Sequence, residues 1–213
     1  MKTAAWYFDF VSPYSYFQAM RLPALAALAS WQARPVLFGA LLGHWGTLGP
    51  AELAPKRQWT YEQCLWIARR ERLPFRMPRE HPFNPLPLLR LALVFATEGT
   101  VPLAIVSRLF AFVWQEGHVP GDPGPWQALL GELGVDPAQL DTPGIKGALR
   151  ANGERALAEG VFGVPTTVIG QRRFFGFDAT EMLVAFLEGD PWFESAAFRG
   201  LAAVPVGVER RRG

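Results

Sequence analysis

Four short stretches hold residues whose types and spacing suit chemistry. Ser12-Pro13-Tyr14-Ser15 sets two hydroxyls three positions apart where an aromatic, apolar run gives way to a helical one. A helix start leaves N–H groups unpaired and carries partial positive charge, so it favours an anion. Read alone, Ser12 is equally an ordinary N-cap. Gly163-Val164-Pro165-Thr166 opens a later strand. Proline belongs at a strand start rather than inside a ladder. A cis bond there would free the Val164 backbone to pair with a ligand, although trans is the commoner state of X–Pro. Gly176-Phe177-Asp178 precedes a closing helix, and Asp178 with Glu181 has capping-box spacing. Its other use is a carboxylate that grips a ligand ammonium. Lys56-Arg57 follows a loop rich in Pro and Gly and gains meaning only beside an acidic ligand.

Other chemistries are excluded by what is missing. The single cysteine, Cys64, rules out an internal disulfide and a CxxC redox pair. His44, His81 and His118 are scattered, and no metal site is legible. Ser12 does not sit in a G-x-S-x-G elbow. Neither a phosphate loop nor a dinucleotide fingerprint occurs. Lys+Arg 21 against Asp+Glu 19 leaves +2, too balanced for a nucleic-acid footprint. Half the residues are apolar, which excludes disorder of the bulk of the chain. Asp9 interrupts any signal-peptide core, and no run reaches the roughly 18 apolar residues of a membrane span. A soluble cytoplasmic protein is expected, with neither nucleic acid nor membrane as partner.

The elements that must position these residues follow from pattern. Residues 4–11 read as a central strand buried on both faces. A helix over 14–30, kinked at Pro23, leads to a second strand over 33–38, so a right-handed crossover and parallel pairing are expected. Residues 39–55 read as loop, and 73–88, with five prolines, as irregular. Helices are expected over 59–72, 89–97, 102–116, 125–133, 137–140 and 142–159. Strands over 166–169 and 172–175 flank a Gly170-Gln171 turn, and a helix over 178–187 follows. Periodicity ends after Pro191, and 209–213 is a short basic tail. This order predicts an α/β fold: a four-stranded mixed sheet split by a large all-helical insertion. The parts are βαβ over 1–40, the insertion over 41–160, hairpin and helix over 161–192, and a tail over 193–213.

The motifs YFDFVSPYSYF, GVFGVPT and GFDATEML, in this order, resemble the DsbA-like branch of the thioredoxin superfamily. More narrowly they are similar to 2-hydroxychromene-2-carboxylate isomerases and kappa-class glutathione transferases, from Trp6 to Trp192. The resemblance implies a thioredoxin-like fold in which Ser12 and Ser15 replace the two thiols of Cys-x-x-Cys, so the thiol arrives as glutathione. Ser12 then matches the serine that donates to the glutathione sulfur. Val164 matches the residue whose backbone pairs with the tripeptide, Pro165 its cis-proline, and Asp178 the acid near the γ-glutamyl group. Phe177 stands where relatives have Asn or Ser, Thr47 about where they have Asn, and Lys56 near a basic position. The implied reaction interconverts 2-hydroxychromene-2-carboxylate and trans-o-hydroxybenzylidenepyruvate, or a similar aromatic catabolite, by reversible thiolate addition. A kappa-type transferase or peroxidase, and a binding or chaperone module without chemistry, are the alternatives. Homodimers occur among such relatives.

Overall fold

A computed structural model describes residues 1–208. Strands β1 (Lys2–Phe8), β2 (Ala29–Pro35), β3 (Thr166–Ile169) and β4 (Arg172–Phe175) form one mixed sheet in the order β2-β1-β3-β4. β1 runs parallel to β2 and antiparallel to β3, and β3 is antiparallel to β4. The basic stretch 209–213 lies outside the described residues.

β1 is central and buried on both faces, which explains its near-absence of polar residues. Trp6 and Phe8 face one side and stack at 4.5 Å. Tyr7 faces the other, in a cluster with Val36, Leu41 and Val161. The strand ends at Phe8, not at residue 11, because the Asp9 carboxylate turns the chain. Its Oδ1 accepts from the Val11 N–H at 3.0 Å and its Oδ2 from the Phe38 N–H at 2.9 Å. Helix α1 spans Pro13–Arg21 and passes into a 3-10 turn at Leu22–Leu25. Pro23 therefore stops the α-helix rather than kinking it, since it offers no N–H and its ring opposes continuation. That early stop releases residues 29–32 to β2, which begins four positions before the expected strand.

Residues 39–45, expected as loop, belong with Phe38, expected as the end of the second strand, to helix α2 (Phe38–Trp45). Its own N-cap, Leu37, has no side-chain bond, and the distant Asp9 supplies the missing acceptor. The insertion continues with α3 (Ala54–Glu71), α4 (Leu86–Val94), α5 (Leu103–Trp114), α6 (Pro123–Leu133) and α7 (Pro143–Ala158). Between α3 and α4 the proline-rich segment is irregular, as its composition requires. α5 lies against β1 and α1: the Phe110 ring is 4.8 Å from Phe10 and 5.7 Å from Phe8.

Gly170, at φ +60°, opens the β3–β4 turn and holds the left-handed backbone that a two-residue hairpin needs. Helix α8 runs Thr180–Glu188. Beyond Pro191, where periodicity was expected to end, a 3-10 turn (Pro191–Glu194) and a short α9 (Ala196–Gly200) fold over β4. Phe186, Phe193 and Phe198 cluster there. The Arg172 guanidinium lies 4.7 Å from the Phe198 ring centroid and donates to the Phe193 carbonyl at 3.0 Å. Among the described residues no helix is long and apolar enough to cross a membrane.

Candidate active site

The β1–α1 junction is fixed from several directions. Ser12 caps α1: its Oγ accepts from the Ser15 N–H at 3.2 Å, and Pro13 takes the first helical position. The Ser12 hydroxyl proton is committed to no acceptor among the described residues. Just before it, two carbonyls are held by ring N–H donors from the insertion. Trp114 Nε1 donates to Phe10 at 2.9 Å, and His81 Nε2 donates to Val11 at 2.8 Å. Because the Val11 carbonyl only accepts, the proton on His81 sits on Nε2, and Nδ1 is left to the Tyr61 hydroxyl at 2.9 Å. Burial holds His81 below the ordinary histidine range. It also pushes Asp9, 0% exposed, up to about 7, against the backbone N–H groups that stabilise its charge. Near neutral pH such a carboxyl is only partly ionised and places less than a full negative charge beside an anion site.

A cleft of about 420 Å³ opens over this junction. Ser12 and Tyr14 lie on its floor side, with Val164 at one wall and Lys56 and Thr47 contributed by the insertion. The rest of the lining is mainly apolar, including Phe38, Leu42, Phe162 and Phe175. The Val164–Pro165 peptide is cis, as is His81–Pro82. Val164 is buried, yet its N–H and C=O have no backbone partner among the described residues. Its neighbours on both sides are occupied: the Gly163 carbonyl accepts from Thr166 Oγ1 at 2.7 Å, and the Pro165 carbonyl from the Gly176 N–H at 2.8 Å. Buried backbone groups are almost always paired, so a free pair on a cleft wall leaves a donor and an acceptor open to a partner entering the cleft. Lys56 donates no hydrogen bond to Glu52, whose carboxylate accepts from the Gly49 N–H at 2.7 Å.

The sequence-derived residues thus divide. Ser12, Lys56 and Val164 converge on the cleft. Pro165 stands behind Val164, outside the lining. Ser15 is fully buried behind Ser12, and its Oγ has no partner. Phe177 does not face the cleft: its ring packs into the core 5.8 Å from Phe17, under the Arg21 guanidinium at 4.6 Å. Asp178 is exposed outside the lining and does not cap α8, which starts after Ala179. Its charge does reach Tyr14, whose phenol is pushed up to about 12, first by burial. Asp9, His81, Phe162 and Phe175 also line the cleft, a place that local sequence does not mark for them. The signals were faint: an acid inside an aromatic strand, and two phenylalanines bracketing the Val164 motif.

This arrangement, a helix start facing a proline-headed strand under a helical cap, defines a thioredoxin-type site without thiols. The family described as DSBA-like thioredoxin domain matches residues 4–188, and the chain belongs to it. A 2-hydroxychromene-2-carboxylate isomerase from Sphingobium xenophagum is 27% identical, covering 87% of this chain and 98% of the relative. Glutathione s-transferase kappa 2 from Caenorhabditis elegans is 24% identical over 77% of this chain and 79% of its own. In fold, a solved 2-hydroxychromene-2-carboxylate isomerase superposes with a TM-score of 0.76 at 23% identity, covering 92% of this chain and 98% of that one. The cytosolic disulfide reductase DsbM from Pseudomonas aeruginosa, solved with GSH, reaches 0.55 at 18% identity over 95% and 100%.

Proposed function

We propose that the protein is a glutathione-dependent isomerase of an aromatic ene-pyruvate, of the 2-hydroxychromene-2-carboxylate type. One observation carries it: an uncommitted Ser12 hydroxyl at a helix start and a free Val164 backbone edge share one cleft. The fit to glutathione is chemical. Val164 suits an extended peptide, Lys56 a carboxylate, and Ser12 with the α1 N-terminus a thiolate. Bound there, glutathione supplies the nucleophile for reversible addition to a conjugated double bond, which gives that bond freedom to rotate.

The chain's part is to keep that sulfur ionised. A thiol of pKa near ~8.5 needs about 2.7 kcal/mol of thiolate preference to drop two units. A helix N-terminus contributes ~0.3–1 kcal/mol, up to ~2 when partly buried. A hydrogen bond to a charged group adds roughly 1.5–3 kcal/mol. The helix alone falls short, so Ser12 is required, and its cap bond leaves the proton free to donate. Asp9, fully buried on the same lining, limits opposing charge by being partly protonated near neutral pH.

The test compares wild type with Ser12→Ala by the ultraviolet thiolate absorbance of bound glutathione against pH. The variant should titrate about one to two units higher and turn over about ten- to hundred-fold more slowly near neutral pH. Identical titrations and rates would reduce Ser12 to a cap. Turnover of an aryl halide without isomerisation of the chromene would move the assignment to a kappa-type transferase.

A further inference from the structure

We propose that Phe162 and Phe175 form a ring-binding lip that selects planar aromatic groups on the electrophile presented to the cofactor sulfur. The inference rests on the glutathione reading above and assigns its specificity to the segment leading into β3 and to β4 rather than to the helical insertion. Both phenylalanines line the cleft, yet they are 45% and 46% exposed. A half-solvated phenylalanine forgoes about half of the burial free energy it would contribute in a core. Their ring centroids lie 4.7 Å apart at 56°, so each supports the other and keeps open surface toward the cleft. That tilt suits offset or edge contacts with a third ring.

The lip is held rigidly. Trp45 Nε1 from α2 donates to the Val161 carbonyl at 3.0 Å, directly before Phe162. Thr166 Oγ1 holds the Gly163 carbonyl on the other side. The Phe175 ring abuts Gly163, where a Cβ would stand 2.6 Å from its Cε2. The position is therefore glycine because the ring occupies the side-chain space. One residue further on is Val164, the free backbone edge, so the lip stands next to the bound peptide.

The experiment measures calorimetric affinity for glutathione, S-methylglutathione and S-benzylglutathione, in wild type, Phe162→Leu, Phe175→Leu and the double variant. Leucine at half-exposed positions leaves the fold intact, which circular dichroism verifies. Wild type should bind the benzyl conjugate about tenfold more tightly than the methyl one. The double variant should close that gap to about twofold, losing several-fold more affinity for S-benzylglutathione than for S-methylglutathione. A wild type that binds glutathione but shows no gap overturns the lip alone, as does a gap that survives in the double variant. A wild type that binds none of the three overturns the glutathione reading and the lip with it.

Discussion

Asp9 shows how one buried side chain serves both backbone and site. It ends β1, caps α2 from 29 residues away and lines the cleft. Burial raises its carboxyl from 3.8 to about 7, so the folded protein holds a proton that the unfolded chain releases. The stability this group contributes is full below about pH 4 and is lost as pH rises through about 7. Asp9→Asn removes that dependence. Its melting temperature relative to wild type should therefore rise steadily across this window, and parallel pH profiles for the two proteins would refute the assignment. The missing thiols give a second residue-scale expectation. With Ser at 12 and 15 and Cys64 buried, its thiol pushed up to about 12 by burial, the protein should not reduce insulin disulfides. Reduction at a thioredoxin-like rate would contradict it.

At the scale of elements, the insertion does more than cover the sheet. α5 ends in Trp114, whose indole holds the Phe10 carbonyl, and Phe75 stacks on that indole at 5.6 Å. Trp114→Phe keeps most of the packing but leaves a buried carbonyl unpaired, which costs about 1–3 kcal/mol. Urea denaturation should show that loss. Because Phe10 precedes Ser12 by two positions, glutathione affinity should also weaken; full stability with unchanged affinity would mean the indole bond is dispensable. The C-terminal segment is anchored in the same manner at the opposite edge. Arg172→Ala removes a cation lying among three phenylalanines and a donor to the Phe193 carbonyl. Protease sensitivity around residues 191–203 should increase, with little change in ligand affinity, since none of these groups touches the cleft.

Across the whole molecule, sheet and insertion share one core. Trp6, Phe8, Phe10 and Phe17 cluster with Leu88, Phe110 and Trp114, all essentially unexposed. Each large apolar side chain buried there contributes roughly 1.5–3 kcal/mol, so neither part retains a core without the other. Unfolding should then be a single transition. Far-ultraviolet circular dichroism and tryptophan fluorescence, which samples Trp6 in the sheet and Trp114 in the insertion, should give superimposable urea curves. Two resolved steps would mean that the insertion folds as a separate unit.

Local pattern determined much of this protein. The unbroken aromatic run around Trp6 required a strand covered on both faces, and Gly170-Gln171 between two short β runs required a hairpin. Ser12-Pro13 marked a helix start, and the motif order carried the family, with Val164 and Lys56 among the candidates that reach the cleft. What pattern did not show depends on partners distant in the chain. Helix α2 looked like loop because its cap is Asp9, and no residue near Leu37 announces it. Phe177 and Asp178 are adjacent, yet one ring found a pocket beside Phe17 and Arg21 while the other side chain stayed in solvent. His81 looked isolated until the insertion folded it against Val11. Sequence periodicity reports which residues avoid water and how the backbone turns locally; which polar group meets which across 29 or 70 residues is settled only by tertiary packing.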